Sequence, residues 1–111
     1  MVTALLVALG AAVGAPLRYA LTRHDGVLPT GMLAVNVLGS GLLGVFAALS
    51  LGEAWWALLG TGFCGGFTSF SSFAVQSVTR PARTAAAYVL ATTVLSVAAC
   101  ALGWLLGARL G

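Results

Sequence analysis

Charged side chains make up only 6% of this 111-residue chain, against about 25% in soluble domains. Asp25 and Glu53 are its only carboxylates, and both fall between the long apolar runs. With no acid inside a membrane span, the chain lacks the group on which a proton-coupled cation exporter trades a proton for its substrate. The same scarcity argues against a hydrolase, because no nucleophile, base and orienting acid can be assembled. His24 is the single histidine, and no second histidine or cysteine stands ready to complete a metal site with it. The two cysteines, Cys64 and Cys100, lie inside apolar runs without a CxxC or Cys/His pattern, so they read as small buried residues. The net charge of +3 is too small, and too confined to helix ends, for nucleic-acid binding. No positive region precedes the first apolar run, which therefore reads as a retained transmembrane helix rather than a signal peptide.

What is present is apolar surface. The chain is 60% hydrophobic, with a mean hydropathy of +1.07. A soluble fold of this length leaves too much surface exposed to hide that content, so the bilayer must be the solvent. A spanning helix needs about 20 apolar residues. The expected architecture is an all-α membrane protein, one transmembrane domain over 1–111, with helices at roughly 2–21, 31–51, 54–79 and 84–107.

The first helix carries Gly10 and Gly14, four apart on one face, as a small-residue packing stripe. Pro16 is expected to kink or thin its last turn. Arg18 then falls at the membrane edge, either as an interfacial anchor or as a cation drawing anions into a vestibule. Thr22 to Thr30 reads as a loop, with His24 solvated. In the second helix Asn36, Ser40 and Gly44 share one stripe. Asparagine in a membrane helix is expensive, and it serves either as glue between helices or as a donor to a ligand. Gly52-Glu53 reads as a tight turn, and Trp55, Trp56 and Trp104 as interface anchors. In the fourth helix Thr84, Tyr88, Thr92, Ser96 and Cys100 recur every four residues, a polar row on an otherwise apolar helix.

The third helix holds the oddest stretch, Gly60-Thr-Gly-Phe-Cys-Gly-Gly-Phe-Thr-Ser-Phe-Ser-Ser-Phe73. Gly65-Gly66 followed at once by Thr68-Ser69 predicts a break near the midpoint of the span. A broken helix is tolerated in a membrane only where its freed backbone groups are buried in protein or line a cavity. Freed carbonyls near Gly65 and Thr68 offer ligands for a cation of the sodium kind. One protomer supplies too few of them, and a twofold axis through the break would double the number. Phe70 and Phe73 follow on one face. Otherwise the membrane interior contains only uncharged donors: Asn36, hydroxyls and the positive edges of phenyl rings. Such donors suit an anion that must shed its water and still be released.

Gly10-x3-Gly-Ala-x2-Arg-Tyr19, Gly31-x4-Asn36-x2-Gly-Ser40 and Gly62-Phe-Cys-Gly-Gly-Phe-Thr-Ser-Phe-Ser-Ser-Phe73 resemble the Fluc (CrcB) fluoride channels over essentially the whole chain. The resemblance implies a passive, fluoride-selective channel, not an enzyme, exporting fluoride from the cytoplasm across the cell's inner or plasma membrane. It implies an antiparallel dimer with two pores and a central structural Na+. Carried over by position, the fluoride pore would take Asn36, Phe70, Ser72, Phe73, Tyr88, Thr92 and Ser96. The carbonyls of Gly65 and Thr68 would hold sodium, and Arg18 would be the vestibule arginine. Ser69 and Ser72 stand where the family often has threonine, and Gln76 where a glutamate is common. A small four-helix drug or cation exporter is the alternative reading. Arg18, Arg23, Arg80 and Arg83 flank one side and only Arg109 the other. That bias favours both termini outside, and it admits a heterodimer with an oppositely oriented homologue beside the homodimer.

Overall fold

A computed structural model describes residues 2–25 and 29–110. Part of the expected 22–30 loop and both chain ends lie outside that range. Among the described residues every regular element is helical. These are α1 (Val2–Thr22), α2 (Thr30–Ala48), α3 (Glu53–Trp55), a π-helical segment (Trp56–Cys64), α4 (Gly65–Phe67), α5 (Phe70–Thr79) and α6 (Ala82–Leu110). The run Glu53–Thr79 forms one span, so four helical stretches are long and apolar enough to cross a membrane. The molecule measures 43 × 30 × 18 Å, a slab longer than the hydrocarbon thickness of about 30 Å.

Packing is by backbone contact rather than by a large core. The buried apolar cluster is only Met32, Val35 and Phe67, with Phe63 against it. Leu5, Leu9, Val13, Leu102 and Leu106 all point outward, as lipid-facing side chains do when the solvent is itself apolar. A Cβ on Gly10 would lie 2.6 Å from the Phe63 amide nitrogen, and one on Gly14 2.8 Å from that of Phe67. The Gly10/Gly14 stripe thus sets α1 directly on the π segment and α4. The α2–α6 contact is built the same way. A Cβ on Gly44 would lie 3.0 Å from the Cys100 carbonyl carbon, and one on Gly107 2.6 Å from the Val45 oxygen. Gly44, expected beside Asn36 and Ser40 on a polar stripe, therefore serves helix packing.

Two boundaries differ from expectation. α2 ends at Ala48, three residues before the expected stop, because Ser50 adopts a left-handed backbone (φ 54°) and its N–H donates to the Ala47 carbonyl at 3.4 Å. That is the usual geometry just past a helix end, with serine where glycine is preferred. α6 runs on to Leu110. α1 continues through Pro16 to Thr22, so the proline sits inside an unbroken helix. At the start of α2, Pro29 provides no side-chain cap. The Asp25 carboxylate substitutes for one, accepting from Gly31 N at 2.8 Å and Met32 N at 2.9 Å. An anion suits the positive end of a helix.

Candidate functional site

The third span breaks at Thr68-Ser69. Both residues are extended, Thr68 at φ −91°, ψ 165° and Ser69 at φ −151°, ψ 111°. An open backbone at this depth must find other partners. Most of them are side chains. The Ser69 N–H donates to Asn36 Oδ1 at 2.9 Å, and Asn36 Nδ2 donates to the Ser69 carbonyl at 3.4 Å. Asn36, 8% exposed, spends both ends of its carboxamide on one peptide residue. Ser69 Oγ accepts from Ser72 N at 3.1 Å and so caps α5. Thr68 closes the preceding turn, its N–H and its hydroxyl both donating to the Cys64 carbonyl, at 2.9 and 2.8 Å.

Among the carbonyls this break frees are those of Gly65 and Thr68. In a continuous helix Gly65 C=O would accept from Ser69 N–H and Thr68 C=O from Ser72 N–H. Asn36 and the Ser69 hydroxyl have taken those two donors. Gly65 is exposed, and a Cβ there would meet nothing within 4 Å. The Thr68 carbonyl accepts from Arg18 Nη1 at 3.3 Å. Neutral carbonyl oxygens are the donor type an alkali ion takes in unwound membrane helices, so the residues present fit such an ion. No group of three or more His, Cys, Asp or Glu occurs among the described residues.

A groove of about 580 Å³ opens beside the break, and Asn36, Gly65, Thr68, Ser69, Phe70 and Phe73 line it together with Thr92 and Ser96 from α6. Phe70 is 80% exposed, with its ring 6.0 Å from Phe73. Phe73 in turn lies 5.4 Å from Tyr88. The hydroxyls of Tyr88, Thr92 and Ser96 are shielded; Tyr88 and Thr92 lie beside each other, and none of the three makes a well-formed hydrogen bond to the described residues. Each is separated from the next by one helical turn, about 6 Å along the axis. Buried hydroxyls without well-formed hydrogen bonds cost about 1–3 kcal/mol apiece, so three in a row along α6 stand out against its apolar surface.

The structure does not bring every expected residue to this groove. Tyr88 borders a separate cleft of about 180 Å³ with Pro29, Leu33 and Ala87. Ser72 contributes its backbone N–H to the cap of α5. Arg18 reaches the break from α1, away from the groove lining. Gln76 accepts a hydrogen bond from Arg80. Ser69 is the residue the sequence reading undervalued. A serine just before an apolar run is a helix-start signal, and here it both caps α5 and presents its backbone to Asn36.

The profile of the family described as CrcB-like protein, Camphor Resistance (CrcB), matches residues 5–104. The chain is 46% identical over 109 residues to "Fluoride-specific ion channel FluC 2" of Rhodococcus jostii, covering 92% of this chain and 96% of that one. It is 38% identical over 116 residues to "Fluoride-specific ion channel FluC 1" of Listeria monocytogenes, covering 96% and 98%. It is 42% identical over 118 residues to "Fluoride-specific ion channel FluC" of Ruegeria sp., covering 93% and 92%. With four spans, a broken third helix and a match over nearly its whole length, this multi-pass membrane chain belongs to the CrcB-like family.

Proposed function

We propose that this chain forms a passive fluoride-selective channel that exports fluoride from the cytoplasm through the inner or plasma membrane. The observation that carries the reading is the file of three buried hydroxyls, none with a well-formed hydrogen bond to the rest of the chain's described residues, running from Phe73 along α6. Fluoride, small and strongly hydrated, gains most from donors that replace its lost water. Hydroxyls at Ser96, Thr92 and Tyr88 supply such donors, and the rings of Phe70 and Phe73 can turn positive edges toward the same path. A neutral lining lets the ion leave again. The chain's relatives are named as fluoride-specific ion channels, and the activity is conduction, not catalysis. Asn36 fixes the break through Ser69, and the second N–H of its carboxamide is left to serve the path.

The groove is open on one protomer, with Gly65, Phe70 and the Thr61 side of the π segment uncovered. A second copy in antiparallel orientation would close it, giving two paths related by a twofold axis. Gly65 and Thr68 of each copy would then hold Na+ through their carbonyls. A bound Na+ would supply a fixed positive charge beside the anion paths and tie the copies together. The arginine bias, Arg23, Arg80 and Arg83 against Arg109, supports a second arrangement in which the partner is an oppositely oriented homologue.

The test is a fluoride-electrode efflux assay on the purified chain, expressed alone, in liposomes. Fluoride should leave at least a hundredfold faster than chloride. Equal chloride flux would refute selectivity, and fluoride flux restored only by a co-expressed homologue would establish the heterodimer.

A further inference from the structure

We propose that Arg18 is a positioning residue of the break, whose charge sets how strongly the break takes up an alkali cation. The inference rests on the reading that Gly65 and Thr68 ligate such an ion. Arg18 is half-buried, at the end of α1 that packs on α4, and its Nη1 donates to the Thr68 carbonyl across 50 positions of sequence. That carbonyl has lost its in-helix donor because Ser72 N–H caps onto Ser69 Oγ. The guanidinium therefore occupies one lone pair of the same oxygen that a cation would use, and its positive charge stays within a few ångströms of the site. No carboxylate offsets it there: Asp25 is engaged at the start of α2 and Glu53 begins the third span at its far end.

Two effects follow on the break. With the cation site empty, Arg18 satisfies the Thr68 carbonyl and keeps the extended turn from collapsing. With the site filled, the guanidinium and the ion repel across a shared oxygen. At an effective dielectric of about 20, two unit charges this close change an affinity by tenfold or more. Arg18 thus both holds the turn in shape and restrains its cation affinity, a role that needs the charge and not only the side chain's bulk.

The experiment is thermal unfolding of the full-length protein in detergent micelles, with Na+ titrated against choline at constant ionic strength. Wild type, Arg18→Gln and Arg18→Lys are compared. The expected result is a wild-type Tm that rises with Na+, an Arg18→Gln half-stabilising Na+ concentration at least tenfold lower, and an Arg18→Lys value within threefold of wild type. A purely structural arginine would lower Tm equally at every Na+ concentration and leave the half-stabilising value unmoved, which would overturn the proposal while leaving the cation site standing. A wild-type Tm indifferent to Na+ would overturn the cation site itself. Should Arg18→Gln give no folded protein, Arg18→Met, which removes the charge and keeps the bulk, takes its place: a half-stabilising Na+ concentration at least tenfold below that of Arg18→Lys supports charge sharing, and equal values refute it.

Discussion

At the scale of single residues, the informative feature is a buried polar group that lacks a well-formed hydrogen bond. Thr92 is 5% exposed and its hydroxyl makes none. Thr92→Val keeps the shape and removes that hydroxyl. If the hydroxyl serves only the fold, its loss changes little, and because it makes no well-formed hydrogen bond the variant should be as stable as wild type or more stable by about 1 kcal/mol. If it serves a passing anion, fluoride flux should fall at least tenfold. The expected outcome is both together: unchanged or raised Tm with collapsed flux. Unchanged flux would remove Thr92 from the path. Much of this site was legible beforehand, because a hydroxyl every fourth residue is visible in the letters. Asn36 was legible as an anomaly but not in its role, since glue and ligand use the same side chain. Its pairing with Ser69, 33 positions away, is not visible in the letters at all. Sequence places Arg18 at the membrane edge, as an interfacial anchor or a vestibule cation. Sequence does not say that the break's carbonyl would come within its reach.

At the scale of elements, helix ends and helix contacts obey different rules, and the sequence reveals them unequally. The Gly10/Gly14 stripe was visible as spacing. The matching pair Gly103 and Gly107, both buried against α2, has the same spacing but was overshadowed by the hydroxyl row beside it. The end of α2 was misplaced because Ser50-Leu51 looks as apolar as the helix before it, while the left-handed turn at Ser50 depends on the path to the next span. That turn gives a clean prediction. Left-handed backbone costs a non-glycine residue about 1 kcal/mol, so Ser50→Gly should stabilise the protein by about that amount, read as a raised Tm in detergent, with fluoride flux unaffected. A lowered Tm would mean that the Ser50 side chain contributes something its backbone does not show. The π segment had no sequence signal at all. Its wider turn accompanies the close fit of Gly62 and Gly66 onto α1, where a Cβ would lie 2.7 Å from the Val7 oxygen and 2.8 Å from the Ala11 Cα respectively, and that fit is a property of the pair of helices.

At the scale of the whole molecule, the described residues form only a small buried cluster beside an open groove, and the uncovered side carries Gly65. In an isologous dimer a residue close to the axis faces its own copy. A Cβ at Gly65 meets nothing within 4 Å in the protomer, so a side chain there has room within its own chain. With Cys64 and Cys100 first replaced by alanine, Gly65→Cys should oxidise to a covalent species of twice the 11.1 kDa protomer mass on a non-reducing gel, since a disulfide needs the two Cα atoms within about 7 Å. Failure to cross-link in the membrane, with the variant folded, would place the axis elsewhere.

The two side chains that hold the break both precede it in the chain, Arg18 by 50 residues and Asn36 by 33. In chain order, α1 and α2 are made before Thr68-Ser69, so both side chains exist before the peptide groups they satisfy. The hydroxyl row of α6 follows last, onto a turn whose shape no longer depends on it.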